Sequence, residues 1–232
     1  DELTRIDPKP VKAALLMSPS MPSGAVFSTD DWQALVNFCQ RADCWLINDS
    51  AKERILFDDR PVIHPASFPD MREKVITVGS ASKEYRMIGW RVGWVVGPAD
   101  IVADTARVSI SNVVCQTGIA MGAVAAAIND PDDRIEECVA EWQHRRDIFL
   151  FELADFNVIP PQGGWSFLMD VSALGIDGSS ASKRLLEQGN IAATPMVNWG
   201  SENSCKYLRI VYSNEPVQRI RGVGRRFRDA IN

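Results

Sequence analysis

Apolar residues along this chain fall into runs of two lengths, and the lengths separate strands from helices. Short runs bounded by Gly, Pro, Asn or Asp cover residues 13–17, 45–48, 75–79 and 92–97, and they read as buried strands. Between the first two, residues 29–41 carry Trp32, Leu35, Val36 and Cys39 at helical spacing, with Ser28 and Thr29 as N-cap candidates. Strands alternating with helices predict an α/β sheet, largely parallel. Residues 1–10 are polar and show no capping logic. Four strands are few for such a sheet, so a further segment upstream is expected.

From residue 98 the texture changes. Pro98-Ala99-Asp100 opens a helix, residues 117–129 form another rich in Ala, and 131–153 predict a long one with Asp132 and Asp133 in its first turn. Strands at 164–170, 191–194 and 207–212 then alternate with helices at 179–188 and 216–231, which is an α+β pattern. The domain boundary is therefore set near residue 150, giving domains 1–150 and 151–232. No internal repeat or low-complexity tract is visible.

Composition narrows the classes of function. A hydrophobic share of 46% with 24% charged residues belongs to an ordinary globular protein, and a net charge of −5 argues against a nucleic-acid footprint. The only basic run is Arg219, Arg221, Arg225, Arg226 and Arg228, interleaved with Ile220, Val223 and Phe227, which suits the solvated side of an amphipathic helix. No stretch is apolar enough to span a bilayer, and no signal-peptide pattern opens the chain, so no membrane partner is expected. The five cysteines are scattered without a C-x-x-C pair, and the two histidines have no metal-like partners. Reduced thiols, a cytoplasmic location and no metal site are the expectations.

The candidate chemistry centres on Lys83. It sits in Ser80-Ala81-Ser82-Lys83 just after a strand, and Gly89-Trp90-Arg91-Val92-Gly93 follows. A desolvated lysine loses its proton readily, as a Schiff-base amine must, and a guanidinium fork suits a phosphate. A phosphorylated, carbonyl-bearing cofactor needs both, although a solvated loop lysine has the same local sequence. Asp49 closes the strand at 45–48, at the carboxyl edge where α/β sheets bind ligands, and could hold a pyridinium nitrogen. Arg209, in Tyr207-Leu208-Arg209-Ile210, offers a bidentate carboxylate contact. Taken singly, these also read as a capping Asp and an ion-paired Arg.

In order and spacing, these segments resemble the class I/II aminotransferases of the fold-type I pyridoxal-phosphate enzymes. The resemblance rests on the S-x-S-K and G-x-R-x-G segments, the strand-end Asp49, Arg209 within Leu208-Arg209-Ile210, and Pro161-Gln162-Gly163-Gly164 before a strand. It runs over essentially the whole chain but matches only the later part of a family member. The family's glycine-rich phosphate loop and ring-stacking aromatic have no counterpart here. The implied fold is an incomplete large α/β domain with a smaller C-terminal α+β domain. The implied cofactor is pyridoxal 5'-phosphate, joined to Lys83 as a Schiff base. Arg91 and Ser80, with Ser82, would hold its phosphate, Asp49 its pyridine nitrogen, and Arg209 the substrate α-carboxylate. The implied reaction moves an amino group between an α-amino acid and a 2-oxo acid, in a homodimer.

The chain departs from the family in two places. The family's N-P-x-N-P-T-G turn is Ser18-Pro19-Ser20-Met21-Pro22-Ser23-Gly24 here, so the second Asn is Met21. Its D-x-x-Y is Asp49-Ser50-Ala51-Lys52, so the Tyr is Lys52. Lys52 either turns to solvent or supplies an ammonium to the cofactor's phenolic oxygen. These changes keep open a lyase, cyclase or oxidase of the same fold, and a non-catalytic chain that needs another polypeptide.

Overall fold

The computed structural model describes residues 2–200 and 202–231. The chain divides into two compact units, one of residues 1–19 with 26–135, the other of residues 20–25 with 136–232. The division falls at the start of the long helix, whereas the sequence reading set it near residue 150.

In the first unit, β1 (Ala13–Met17), β2 (Trp45–Asp49), β3 (Val75–Ser80) and β4 (Gly93–Val96) form one sheet in chain order. The β1–β2 and β2–β3 pairings are parallel, and β4 returns antiparallel to β3. Helix α1 (Thr29–Ala42) crosses between β1 and β2. It starts where Ser28 Oγ accepts the Asp31 N–H at 3.2 Å and the Asp31 carboxylate accepts the Ser28 N–H at 2.8 Å, a reciprocal capping box. Asp43 ends it in the left-handed region, sending its N–H to the carbonyls of Cys39 and Gln40. Trp32, Leu35, Val36, Phe38 and Cys39 pack with Leu46, Met71 and Val75. Leu35, Val36 and Phe38 each contribute about 2 kcal/mol by leaving water, so the packed face outweighs the roughly 1 kcal/mol of the cap.

The opposite face of the sheet is open: Leu15 is 70% exposed and Val78 is also exposed. Helix α2 (Ala99–Val113) buries none of its described side chains, and α3 (Gly118–Asn129) buries only Ala120 and Val124. Among the described residues no helix is long and apolar enough to cross a membrane.

The second unit carries an antiparallel sheet of order β5-β6-β8-β7, built from β5 (Asn157–Ile159), β6 (Ser166–Asp170), β7 (Thr194–Pro195) and β8 (Tyr207–Val211). Helix α4 (Ile135–Glu152) sends Phe149 against Phe167 and Tyr212, while α5 (Gly178–Gly189) packs on α7 (Val223–Ile231). Helix α7 buries Val223, Phe227, Ala230 and Ile231 and leaves Arg225 and Arg228 outside, so the basic run is the polar side of an amphipathic element.

Four features differ from the sequence reading. The expected helix 216–231 is two pieces, α6 (Val217–Ile220) and α7, because Gly222 takes a φ of 77° and the Glu152 carboxylate accepts the Gly222 and Gly224 N–H groups. The strand expected at 191–194 pairs only at Thr194–Pro195; Ile191 instead donates its N–H to Leu185 O beyond α5. Strand β5 has no counterpart among the predicted elements, since three residues carry too little pattern. Asp132 and Asp133 precede α4 rather than occupy its first turn, which holds Glu136 and Glu137.

Candidate active site

Parallel pairing ends β2 and β3 on the same edge of the sheet, and the antiparallel β4 begins there. Asp49 is the last residue of β2 and Ser80 the last of β3, and Ser80 stands opposite Gly93, the first of β4. The connection between β3 and β4 is closed by Ala81 N–H to Val92 O at 3.1 Å and Met87 N–H to Ala81 O at 3.2 Å. The strand ends thus gather Asp49, Lys52, Ser80, Ser82, Lys83 and Arg91 along one edge of the first unit.

Their local geometry is specific. Arg91 lies in the left-handed region at φ 58°, and its Nη1 donates to Ser82 Oγ at 3.3 Å and to Ile88 O at 3.0 Å. The Ser82 N–H reaches Ser80 Oγ at 3.2 Å. A guanidinium and two hydroxyls therefore converge, a donor set that suits a phosphate dianion. Lys83 is half-buried in the turn that follows, and its carbonyl accepts the Arg86 N–H at 3.0 Å. A Cβ on Gly79 would lie 2.0 Å from Trp94 Nε1; the glycine leaves room for that indole, which meets Tyr85 edge-on at 6.3 Å.

Asp49 is half-buried and its Oδ1 accepts the Ala51 N–H at 3.0 Å, which fixes the turn carrying the next residues. Lys52 is 4% exposed, so it lies inside the protein rather than in solvent.

Sequence reasoning missed what stands behind these residues. Glu84, directly after Lys83, is 7% exposed; its two oxygens accept the Arg54 backbone N–H at 2.7 Å and Arg54 Nε at 3.0 Å. Arg54 Nη2 continues to the Asp133 carboxylate, and Arg86 donates to the carbonyls of both Glu84 and Asp133. Burial, then the neighbouring Glu84 charge, pushes the Glu53 carboxyl up from its ordinary 4.5 to about 7. A signal was present: Lys-Glu occurs twice, in Lys52-Glu53-Arg54 and in Lys83-Glu84-Tyr85-Arg86. A cavity of about 640 Å³ lined by Ser50, Glu53, His64, Thr77 and Trp94 opens nearby, and none of the sequence-predicted site residues lines it.

Arg209 belongs to the second unit, on β8 between β6 and β7, with Leu168 and Thr194 as register partners. Its Nε is buried and has no hydrogen-bond partner among the described residues, and burial lowers its pKa. A buried guanidinium nitrogen without an acceptor fits an incoming carboxylate.

The segment 20–25 also belongs to this unit. Gly24 O accepts the N–H groups of Gln162 and Gly163 at 2.8 and 3.0 Å, and Ser166 Oγ donates to Pro22 O at 2.9 Å. The turn after β1 and the Pro161-Gln162-Gly163-Gly164 segment, read separately in the sequence, are therefore partners.

Comparison with known proteins identifies the family and the fold. The family profile described as aminotransferase class I and II matches residues 1–222. An aspartate aminotransferase of Rhizobium meliloti is 36% identical over 221 residues, covering 88% of this chain and 53% of the relative. The arginine–pyruvate transaminase of Pseudomonas aeruginosa is 33% identical over 184 residues, 78% of this chain and 47% of the relative. Among solved structures, an aromatic aminotransferase from Pyrococcus horikoshii superimposes with a TM-score of 0.90 at 26% identity, over 97% of this chain and 61% of the other. This chain spans about half the length of the curated relatives it matches. With its α/β sheet, its Lys83 edge and these relatives, the chain has the fold-type I architecture and belongs to the class I and II aminotransferase family.

Proposed function

We propose that the protein is a pyridoxal-phosphate-dependent aminotransferase that moves an amino group between an α-amino acid and a 2-oxo acid. The observation that carries this reading is the gathering of Asp49, Lys83 and the Ser80–Ser82–Arg91 donor group on one sheet edge. Pyridoxal phosphate, the cofactor typical of the family, supplies an electron sink for a carbanion when bound.

The chain's own residues have separate tasks. Arg91, Ser80 and Ser82 hold the phosphate by charge-assisted hydrogen bonds. Asp49 keeps the ring nitrogen protonated. Lys83 would be the amine that holds the cofactor and would carry the proton at the substrate α-carbon. Lys52, buried three residues beyond Asp49, would supply an ammonium to the phenolic oxygen in place of the family's Tyr. Arg209 takes the substrate α-carboxylate. Exposed apolar side chains such as Ile119, 88% exposed on α3, support a homodimer, and five free cysteines support a cytoplasmic location.

The buried Lys52, a cation where the family has a neutral donor, favours a second reading: a lyase, cyclase or oxidase on the same cofactor. Adding pyridoxal phosphate should produce a visible absorption band that Lys83→Ala lacks. Supplying an amino acid with a 2-oxo acid then separates the readings, because only a transferase exchanges the amino group. A wild-type protein without the band would end both.

A further inference from the structure

We propose that the Arg54–Glu84 pair, anchored by Asp133, is a strut that sets the spacing between the Asp49 turn and the Lys83 turn, making Arg54 and Glu84 positioning residues for the lysine. The proposal rests on the cofactor reading above and extends it to residues that touch no ligand.

The contacts form a closed circuit. Arg54 ends the turn that starts at Asp49 and includes Lys52; Glu84 follows Lys83 in chain order. Both carboxylate oxygens of Glu84 are used, one by the Arg54 backbone N–H and the other by its side-chain Nε. One contact fixes the main chain of the first turn and the other fixes its side chain, so neither turn can slide without losing both. The far end of the guanidinium is held by Asp133, and its Cζ lies 5.5 Å from the Tyr85 ring centroid. Arg86 closes the circuit by donating to Glu84 O and Asp133 O.

Burial makes the circuit stiff. The Glu84 side chain is 9% exposed and that of Asp133 15%, so water competes weakly for their charges. Three consecutive residues after Lys83 are thereby pinned: Glu84 and Tyr85 to Arg54, and Arg86 to the segment before α4. The backbone of Lys83 inherits that placement. An amine displaced by about 1 Å from its target carbonyl loses on the order of a hundredfold in rate, so fixing this backbone bears on the chemistry even from outside the site.

The test compares binding with covalent capture in the whole protein. Noncovalent affinity is read with 4'-deoxypyridoxine 5'-phosphate, which has no aldehyde and cannot react with Lys83. Capture is read as the rate at which pyridoxal phosphate becomes fixed to Lys83 by borohydride, located by peptide mass. Glu84→Ala should leave the deoxy analogue's dissociation constant within about threefold and slow capture on Lys83 by on the order of ten- to hundredfold. Arg54→Lys, which keeps a charge but loses the fork, should slow it in the same direction and serves if Glu84→Ala does not fold. Capture at the wild-type rate in the variants overturns the strut, as does a parallel loss of analogue affinity and capture, which marks a merely structural role. A wild-type protein that binds the analogue but fixes no cofactor on Lys83 would instead overturn the cofactor reading, and the strut with it.

Discussion

The two sheets hold their charged side chains in opposite ways. On the first, polar groups at the strand ends are matched within the protein: Asp49 with the Ala51 N–H, Ser80 with Ser82, Ser82 with Arg91, Glu84 with Arg54. On the second, Arg209 sits mid-strand with a buried Nε that has no acceptor among the described residues. The contrast fits two kinds of ligand. On the proposed reading, a resident cofactor would be served by groups already held in place, so little ordering would remain when it binds. A substrate that comes and goes would be served by a donor whose partner arrives with it, and the unmatched nitrogen would then discriminate strongly for a carboxylate.

The sharpest way to break this contrast is Arg209→Met. If the unmatched donor awaits a carboxylate, kcat/KM for an amino acid falls by on the order of 10²- to 10³-fold while the visible cofactor band is unchanged. The same variant should gain roughly 1 kcal/mol in denaturant unfolding, because a buried donor without an acceptor has been removed. A loss of stability would mean that the guanidinium is satisfied and the two sheets are alike.

Gly24→Ala tests the second unit's frame rather than its charge. Gly24 has a φ of 73°, and an added Cβ would lie 2.5 Å from Pro161 Cβ and 2.7 Å from Gly163 O. A loss of about 3 kcal/mol in chemical denaturation is expected. In the first unit, Ser82→Ala removes one member of the matched donor group, and cofactor affinity measured by spectral titration should weaken about tenfold with the fold intact.

The smallest effect concerns Glu53. Its carboxyl is raised to about 7 in the folded protein by burial and then by the Glu84 charge. The folded state therefore holds a proton that the unfolded chain releases near 4.5. Stability from this group is fully present below pH 4.5 and is lost as pH rises through about 7. Glu53 is partly solvated, so the screened contribution is roughly 1 kcal/mol. Glu53→Gln should flatten the slope of unfolding free energy between pH 5 and 7 by about that amount, and an unchanged slope would show the carboxyl titrating normally.

Local rules made most of the fold legible. The strand cores β1, β2, β3 and β8 and the helices α1 and α5 follow from runs and periods that each segment carries by itself, and Ser28 announces α1 three residues before Asp31 completes the cap. The candidate site was legible as a set of residue types in order, and the structure adds why the first six meet: two parallel strands and one returning strand share an edge. The supporting charges were not legible, because their pairings span long stretches of chain. Arg54 meets Glu84 thirty residues away and Asp133 seventy-nine away. By sequence alone Asp133 is a helix-dipole acid, since that local role needs no distant partner. Gly222 is masked for the converse reason: arginines at helical spacing continue across it.

The return of β4 has a consequence for how this protein can change. Ser80 faces Gly93 and Ala81 is bonded to Val92, so the twelve residues between the strands begin and end at one point. Ser82, Lys83 and Arg91 thus travel as a single cassette whose internal spacing does not depend on the rest of the sheet. Recombination that exchanges residues 79–94 as a block would preserve the lysine-to-arginine geometry, whereas a crossover inside the block would draw Lys83 and Arg91 from different parents.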